Sequence, residues 1–346
     1  MAKQQTPSNE LAAILEDIPA VDSGAAGRVG KKLISGGPVM IEEIIGLIGQ
    51  KFGDPAGAMP KYAMHGAALC AGRQGAKERK MVAEALSREL AKDHSPELKA
   101  FIIRQLQFCG RSEEAPVLAK FLGDQRLCEP ATQALLAIGG GAVAAVLRGA
   151  LSDAKGKHRV TLLNAVGRLR DKGSAPAARK LARDKDRDVR LAALYALGNI
   201  GDAGSKSVLL EAAGGDAGYE RTQAVDACFL LARRLGEQGD TANAAKICRT
   251  LSVARKAPAD VYDRCAALAV LAETCGADAV DDVMAAMDSE EVKVRYPAAR
   301  IAVKLSGAIG KGHSAQAAKL LKKAVKATKD RAVIQDAESL LAGLGK

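Results

Sequence analysis

The segment Gly24-Ala25-Ala26-Gly27-Arg28-Val29-Gly30-Lys31-Lys32 has the glycines and lysines of a phosphate-binding loop. Such a loop needs four residues between its outer Gly and the Gly-Lys pair, then a Ser or Thr for Mg²⁺, at the junction of a strand and a helix. Here five residues intervene, Lys32 occupies the hydroxyl position, and no strand pattern precedes, so the segment reads as a flexible turn. Ser152-Asp153-Ala154-Lys155 spells Ser-x-x-Lys but lacks the SDN and KTG partners of that chemistry, and it reads as a coincidence in a turn. His65, His94, His158 and His313 fall in four separate regions, with no i, i+4 pair to share a metal. The seven cysteines include no CxxC, so a disulfide framework is not expected, and Cys70, Cys109, Cys228, Cys265 and Cys275 read as small core hydrophobes. These patterns assign no catalytic residue, no metal ligand and no cofactor, which leaves enzymatic activity unsupported.

Clustered cations are the remaining chemistry. The net charge is +11, and residues 155 to 185 hold ten Lys or Arg against Asp171 and Asp184, whereas residues 259 to 310 hold nine acids against five bases. Within the basic half, Arg168, Arg170, Arg179, Lys180 and Arg183 form a candidate polyanion footprint. Lys319, Lys322, Lys323 and Lys326 add a second, since their i, i+3, i+4, i+7 spacing places them on one helix face. A solvated outer face is the competing reading, and no basic-aromatic interleaving of the single-strand-binding kind occurs.

The elements that must position these residues follow from composition and period. A chain that is 48% hydrophobic but 3% aromatic, with no Trp, builds a thin core of Ala, Leu, Val and Ile, which suits packed helices. With 26% charged residues and a mean hydropathy of −0.03, neither disorder nor membrane burial is expected. The first thirty residues lack a basic start followed by a long apolar run, so the expected location is cytoplasmic. A nine-residue pattern then recurs, best in Ala131–Gly139 and Ala193–Gly201, with apolar residues at offsets 0, 3, 4 and 7 marking one helical face. Looser copies end at Gly72, Gly110, Arg170, Ala232, Cys275 to Gly276, Gly307 and Gly345. The endpoints 139, 170, 201 and 232 are 31 residues apart. A second amphipathic segment follows each copy, as in 112–123, 142–151, 176–183 and 279–287, so each unit is a helical hairpin. The expected fold is all-α, a solenoid of about nine hairpins over residues 61–346, capped by residues 1–60 with a disordered start, a short helix near 11–18 and an apolar segment at 39–52. A stretched spacing between 233 and 260 is assigned to a longer second helix at 241–256 with a loop at 257–258, where a bend could sit.

Asp186–Gly201, DRDVRLAALYALGNIG, resembles the HEAT-repeat family in its short bacterial form, which includes the phycobilin-lyase-like repeats. The resemblance extends over about residues 61 to 345 as degenerate periodicity. Val294-Arg295 is the other Val-Arg match, so the family's Asp/Arg ladder is expected to be mostly missing. The resemblance implies that the Val-Arg helix lines an inner, concave surface.

On that helix, offsets 2 and 5 lie about 150 to 210 degrees from the centre of the core face and should meet a ligand. Offset 2 gives Arg104, Gln133, Asn164, Tyr195, Asp226, Ala269 and Ile301, and offset 5 gives Gln107, Leu136, Gly167, Gly198, Phe229, Ala272 and Lys304. Tyr195 and Phe229 would be exposed unless a partner or neighbouring helix covers them. Arg104, Gln107, Gln133, Asn164, Tyr195, Asp226 and Phe229 are therefore the candidate partner-binding residues of a non-catalytic scaffold that takes a protein or peptide in its groove. The alternatives are a nucleic-acid-binding solenoid, for which DNA-glycosylase relatives with HEAT-like repeats are a precedent, and a lyase- or chaperone-like protein.

Overall fold

In the computed structural model the described residues are 6–18, 22–254, 260–310 and 312–344, and among them every regular element is helical. The polar start at residues 1–5, the loop at 257–258 and the endpoint Gly345 lie outside them. The chain divides into two compact units, Met1–Leu169 and Arg170–Lys346, and each is an all-α stack of helical hairpins.

In the first unit α1 (Asn9–Glu16) precedes the hairpin of α2 (Ser23–Ser35) and α3 (Gly37–Gln50). Next come α4 (Ala58–Arg73) with α5 (Ala76–Leu90), α6 (Pro96–Cys109) with α7 (Ala115–Ala119), α8 (Cys128–Ile138) with α9 (Gly140–Asp153), and α10 (Gly156–Arg168). The first helices α2, α4, α6, α8 and α10 pack in one row, and α3 with α5 and α7 with α9 pack behind them. The second unit holds α11 (Ala175–Leu181), α12 (Arg187–Ile200) with α13 (Lys206–Ala213), α14 (Tyr219–Glu237) with α15 (Thr241–Ala254), α16 (Val261–Cys275) with α17 (Val280–Ala286), α18 (Val292–Ile309) with α19 (Ser314–Ala327), and α20 (Arg331–Leu344). Its first row runs α12, α14, α16, α18, α20.

Local chemistry explains the starts and stops. Asp22, Ser95 and Asp186 each accept a hydrogen bond from a first-turn backbone N–H, at 2.7, 3.2 and 2.9 Å, and so cap α2, α6 and α12. Between hairpin partners a short 3-10 turn recurs, and in two copies it is held by an Asp-x-x-Ser pair. Buried Ser174 donates to Asp171 at 2.6 Å, and buried Ser205 donates to Asp202 at 3.2 Å, 31 residues on. Gly201 ends α12 in the left-handed conformation, φ 72° and ψ 34°, which costs Gly nothing sterically. One repeat earlier Arg170 stands at the same point with φ 53°, the one non-Gly residue with positive φ among those described.

Several boundaries differ from expectation. The Gly-rich segment at 24–32 is not a turn but lies in α2, where a Cβ on Gly30 would come within 3.0 Å of the Gly66 carbonyl and of Cys70 Cβ. Gly30 thus serves the close packing of α2 on α4. Gly72, Ala232 and Gly307 do not end helices but lie inside α4, α14 and α18. In the 233–260 region the first helix, α14, is 19 residues long, and α15 follows the expected second helix from Thr241 to Ala254, the remainder of that expected helix lying outside the described residues. The second helix expected over 112–123 shortens to a 3-10 turn and α7.

Candidate functional site

The core face of the repeated pattern is buried where expected: Ala193, Ala196, Leu197 and Ile200 of α12 are all inaccessible. Offset 2 is reachable in both units. Arg104, Tyr195 and Asp226 are exposed, and Gln133, Asn164, Ala269 and Ile301 are half-buried. Offset 5 is not the open row that helical phase predicts. Gly167, Gly198, Ala272 and Phe229 are buried, Phe229 at 7% exposure, whereas Gln107 and Leu136 are half-buried and Lys304 alone is exposed. At Gly198 the next first-row helix, α14, covers this row. A Cβ on Gly198 would lie 2.8 Å from the Ala227 carbonyl oxygen of α14, so the two helices touch through backbone. Gln133 is joined by Arg168, which donates to its Oε1 at 3.3 Å, and itself donates to Glu129 at 2.8 Å. Burial, followed by the nearby Asp263 charge, holds the Asp226 carboxyl above its usual range.

Farther along the same face the second unit opens a cavity of about 990 Å³ between α16 and α18, closed at one end by Asp330 ahead of α20. Ala269 and Ile301 of offset 2 and Ala272 and Lys304 of offset 5 all line it. The α16 wall is nearly bare of side chain, and the α18 wall carries Tyr296, Pro297 and Leu305. Pro297 lies inside α18 and has no N–H, so the Lys293 carbonyl four residues earlier has no helical donor. Cys265 of α16 supplies one, its Sγ donating to Lys293 O at 3.4 Å. Cys265 and Cys70 thus depart from the core reading, since both are only half-buried, whereas Cys109, Cys128, Cys228, Cys248 and Cys275 are buried. Burial pushes the Cys265 thiol pKa up, which keeps the proton that this contact uses. The cavity's acids are engaged: Glu273 pairs with Arg233 at 3.0 Å and Asp330 with Arg300 at 2.8 Å.

A model of HEAT repeats matches residues 143–228, which run from within α9 to within α14 and contain both Asp-x-x-Ser turns. A solved structure of a Kap121p mutant overlays all of this chain on 44% of its own at 11% identity and a TM-score of 0.51. Residues 143–228 carry HEAT repeats. The chain spans under half of that Kap121p chain, and the likeness is one of fold. Looser overlays join 98% of the chain to 100% of an engineered protein at 18% identity and TM-score 0.45, and 68% to 96% of human deoxyhypusine hydroxylase in complex with glycerol at 18% and 0.31. No curated protein matches.

The HEAT repeats carry an arginine ladder that the search for Val-Arg pairs missed. Arg159, Arg190 and Arg221 are 31 residues apart, as are Arg264 and Arg295, and each sits in the first turn of its helix. Arg159 donates to Ala154 O at 2.8 Å, Arg190 to Asp184 O at 2.9 Å, and Arg295 to Ser289 O at 2.8 Å, so each of the three clasps the turn before it. Three also reach the next helix start. Arg190 grips Glu220 through two bonds of 2.6 and 2.8 Å, Arg264 grips Glu291 through two of 3.0 and 2.8 Å, and Arg221 meets Asp260 at 2.8 Å. The Arg190 guanidinium holds Glu220 below the ordinary carboxylate range. The ladder was legible in the spacing alone.

The same pairing consumes much of the expected polyanion footprint. Arg170 binds Glu237 at 3.1 Å, Arg179 binds Asp202, Arg183 binds Glu211, and Lys323 binds Asp288. Lys180, Lys319, Lys322 and Lys326 are exposed without such a partner among the described residues. His94 lies 2.7 Å from buried Glu89, which Lys92 also contacts, and His65 meets the Phe108 ring edge-on at 4.9 Å. No group of three His, Cys, Asp or Glu side chains suited to a metal ion occurs among the described residues, and no single helix there is long and apolar enough to cross a membrane.

Proposed function

We propose that this HEAT-repeat chain is a non-catalytic scaffold whose first-row helices bind a protein or peptide partner. Residues 1–60 cap the stack, and residues 61–346 carry the binding surface. The observation behind this reading is aromatic exposure: Tyr195, Tyr219 and Tyr262, at 46%, 60% and 75%, all stand on first-row helices of the second unit, in a chain with only ten Tyr and Phe. Large aromatic side chains left in water are the anchors that protein interfaces use, Asp226 adds a polar group on the same row of the second unit, and Arg104, Gln133 and Asn164 are the polar offset-2 residues of the first unit. The ion pairs formed by Arg170, Arg179, Arg183 and Lys323 weigh against a polyanion, because phosphate neutralisation needs free cations.

The test is retention of native-lysate proteins on the immobilised chain after nuclease treatment, comparing wild type with Tyr195→Ala, Tyr219→Ala and Tyr262→Ala. Proteins held by wild type and released by the variants, with melting temperatures unchanged, are the expected result. Retention that vanishes with nuclease, and returns through Lys180, Lys319, Lys322 and Lys326, would replace the scaffold by a nucleic-acid binder.

A further inference from the structure

We propose that the cavity between α16 and α18 seats an amphipathic helix that sets one acidic side chain against Lys304. This deepens the scaffold reading and rests on it, naming the chemistry of the partner at one place on the face.

Length comes first. The α16 wall runs from Cys265 to Gly276 and the α18 wall from Tyr296 to Ile309. At 1.5 Å per residue these are about 16 and 20 Å, some three turns of a helix. The form of the occupant follows from hydrogen bonding. Both walls are helices whose backbone groups are paired internally, and the carbonyl that Pro297 frees is already taken by Cys265. An extended peptide would find almost no backbone partners there, whereas a helix brings its own bonds satisfied. The α16 wall of Ala266, Ala269 and Ala272 ends at Cβ, which lets a third backbone approach closely, while Ile301 and Leu305 opposite offer apolar contact.

Charge then selects the flank. Arg233 neutralises Glu273 and Arg300 neutralises Asp330, so the two acids of the cavity are used. Lys304 is exposed and has no carboxylate within ion-pair distance among the described residues. A single free cation beside an apolar trough complements one acidic side chain on the edge of an apolar stripe. It does not complement a phosphate backbone, which needs a run of cations.

The probe is a fluorescein-labelled helical peptide of about 14 residues, with Leu at i, i+3, i+4 and i+7 and one flanking Glu. Its anisotropy is titrated against wild type, Ala269→Trp, which fills the trough, and Lys304→Glu. Saturable binding to wild type is expected, weakened about tenfold or more by Ala269→Trp. Lys304→Glu should weaken it about fivefold, with recovery when the peptide's Glu is changed to Lys. Far-UV circular dichroism checks folding of Ala269→Trp, and the exposed Lys304 site carries the test if that variant fails. No binding, equal affinity in both variants, or equal affinity for a proline-broken peptide of the same composition would overturn the proposal. So would equal displacement of helical and broken peptides by dodecanoate, which would assign the trough to a fatty anion. If native partners depend on the tyrosines but the peptide does not bind, the cavity assignment falls alone. If the peptide binds but no protein depends on the tyrosines, the scaffold reading falls instead.

Discussion

Replacing Pro297 by Ala returns an N–H to α18 opposite the Lys293 carbonyl, which lacks its i+4 donor and accepts from the Cys265 thiol at 3.4 Å. Proline inside a helix costs about 3 kcal/mol relative to Ala through the missing bond and the ring's clash with that carbonyl. Two losses oppose the gain. The half-buried ring gives up roughly 1 kcal/mol of burial, at about 0.8 kcal/mol per fully buried methylene. The unfolded chain regains freedom worth about 0.4 to 1 kcal/mol. Pro297→Ala is therefore expected to stabilise the chain by about 1 kcal/mol.

A double-mutant cycle isolates the thiol. In the wild-type background Cys265→Ala leaves Lys293 O without a donor, a penalty of about 1 kcal/mol at this half-exposed site, in addition to the lost sulfur packing. In the Pro297→Ala background the new N–H serves that carbonyl, and only the packing loss remains. Urea denaturation of the four proteins, followed by far-UV circular dichroism, should give a coupling of roughly 0.5 to 1 kcal/mol between the two sites. Equal cost of Cys265→Ala in both backgrounds would show that the thiol does not serve the carbonyl. A destabilised Pro297→Ala would show that α18 needs the ring more than the bond.

Other substitutions test the stack itself. Arg170→Gly should stabilise by about 1 kcal/mol by removing a non-Gly residue from φ 53°, since the half-exposed ion pair to Glu237 offsets little, and a lower melting temperature would contradict this. Gly198→Ala should destabilise by about 1 to 3 kcal/mol despite better helix propensity, because its Cβ would fall 2.8 Å from the Ala227 carbonyl; a stabilised variant would mean the α12 to α14 contact is looser than drawn. Leu197→Ala should cost about 2 to 5 kcal/mol and Tyr195→Ala about 0.5 kcal/mol in thermal melts, and similar losses would place Tyr195 in the core. Glu220 titrates lower in the folded chain than the roughly 4.3 of an unfolded Glu, so the unfolded state binds more protons in that interval. The stability from its Arg190 pair is complete above about pH 4.3 and is lost as pH falls through the folded value, and Glu220→Gln should flatten that acid limb of a melting-temperature profile.

What could be read from the sequence was whatever one helix determines by itself. The offsets 0, 3, 4 and 7 of Ala193–Ile200 are buried because a single helix presents them together. Offset 5 depends on how closely the next helix approaches, and at Gly198 the backbone of α14 comes close enough to close the row, while Tyr195 stays out. Helix ends depended on the residues beyond them. Ala232 closes a pattern, but Arg233, Arg234, Leu235 and Glu237 are good helix formers that carry α14 through Gly236 until Gly239 turns with φ 82°. The cavity could not be read, because it requires Pro297 on one helix and the alanines of another to be opposed. Ala269 and Ile301 at offset 2 and Ala272 and Lys304 at offset 5 nonetheless line it.

A local count of charge overstates the free cations for a reason specific to stacked repeats. A window of 155 to 185 sees ten bases and two acids, yet Arg170 finds its acid 67 residues away, Arg179 finds one at 23 and Arg183 at 28. In a stack with a period near 31, a first-turn cation lies beside the start of the next helix, so the neutralising acids fall outside any local count. A carboxylate there is also favoured by the helix dipole, which makes the pairing of Arg190 with Glu220 and Arg264 with Glu291 a property of the period. Charge in such a chain must therefore be summed across neighbouring repeats before it is read as a footprint. Once the paired cations are set aside, the cation that borders this cavity without a carboxylate of its own among the described residues is Lys304, and it is there that a partner's acid would find an unanswered charge.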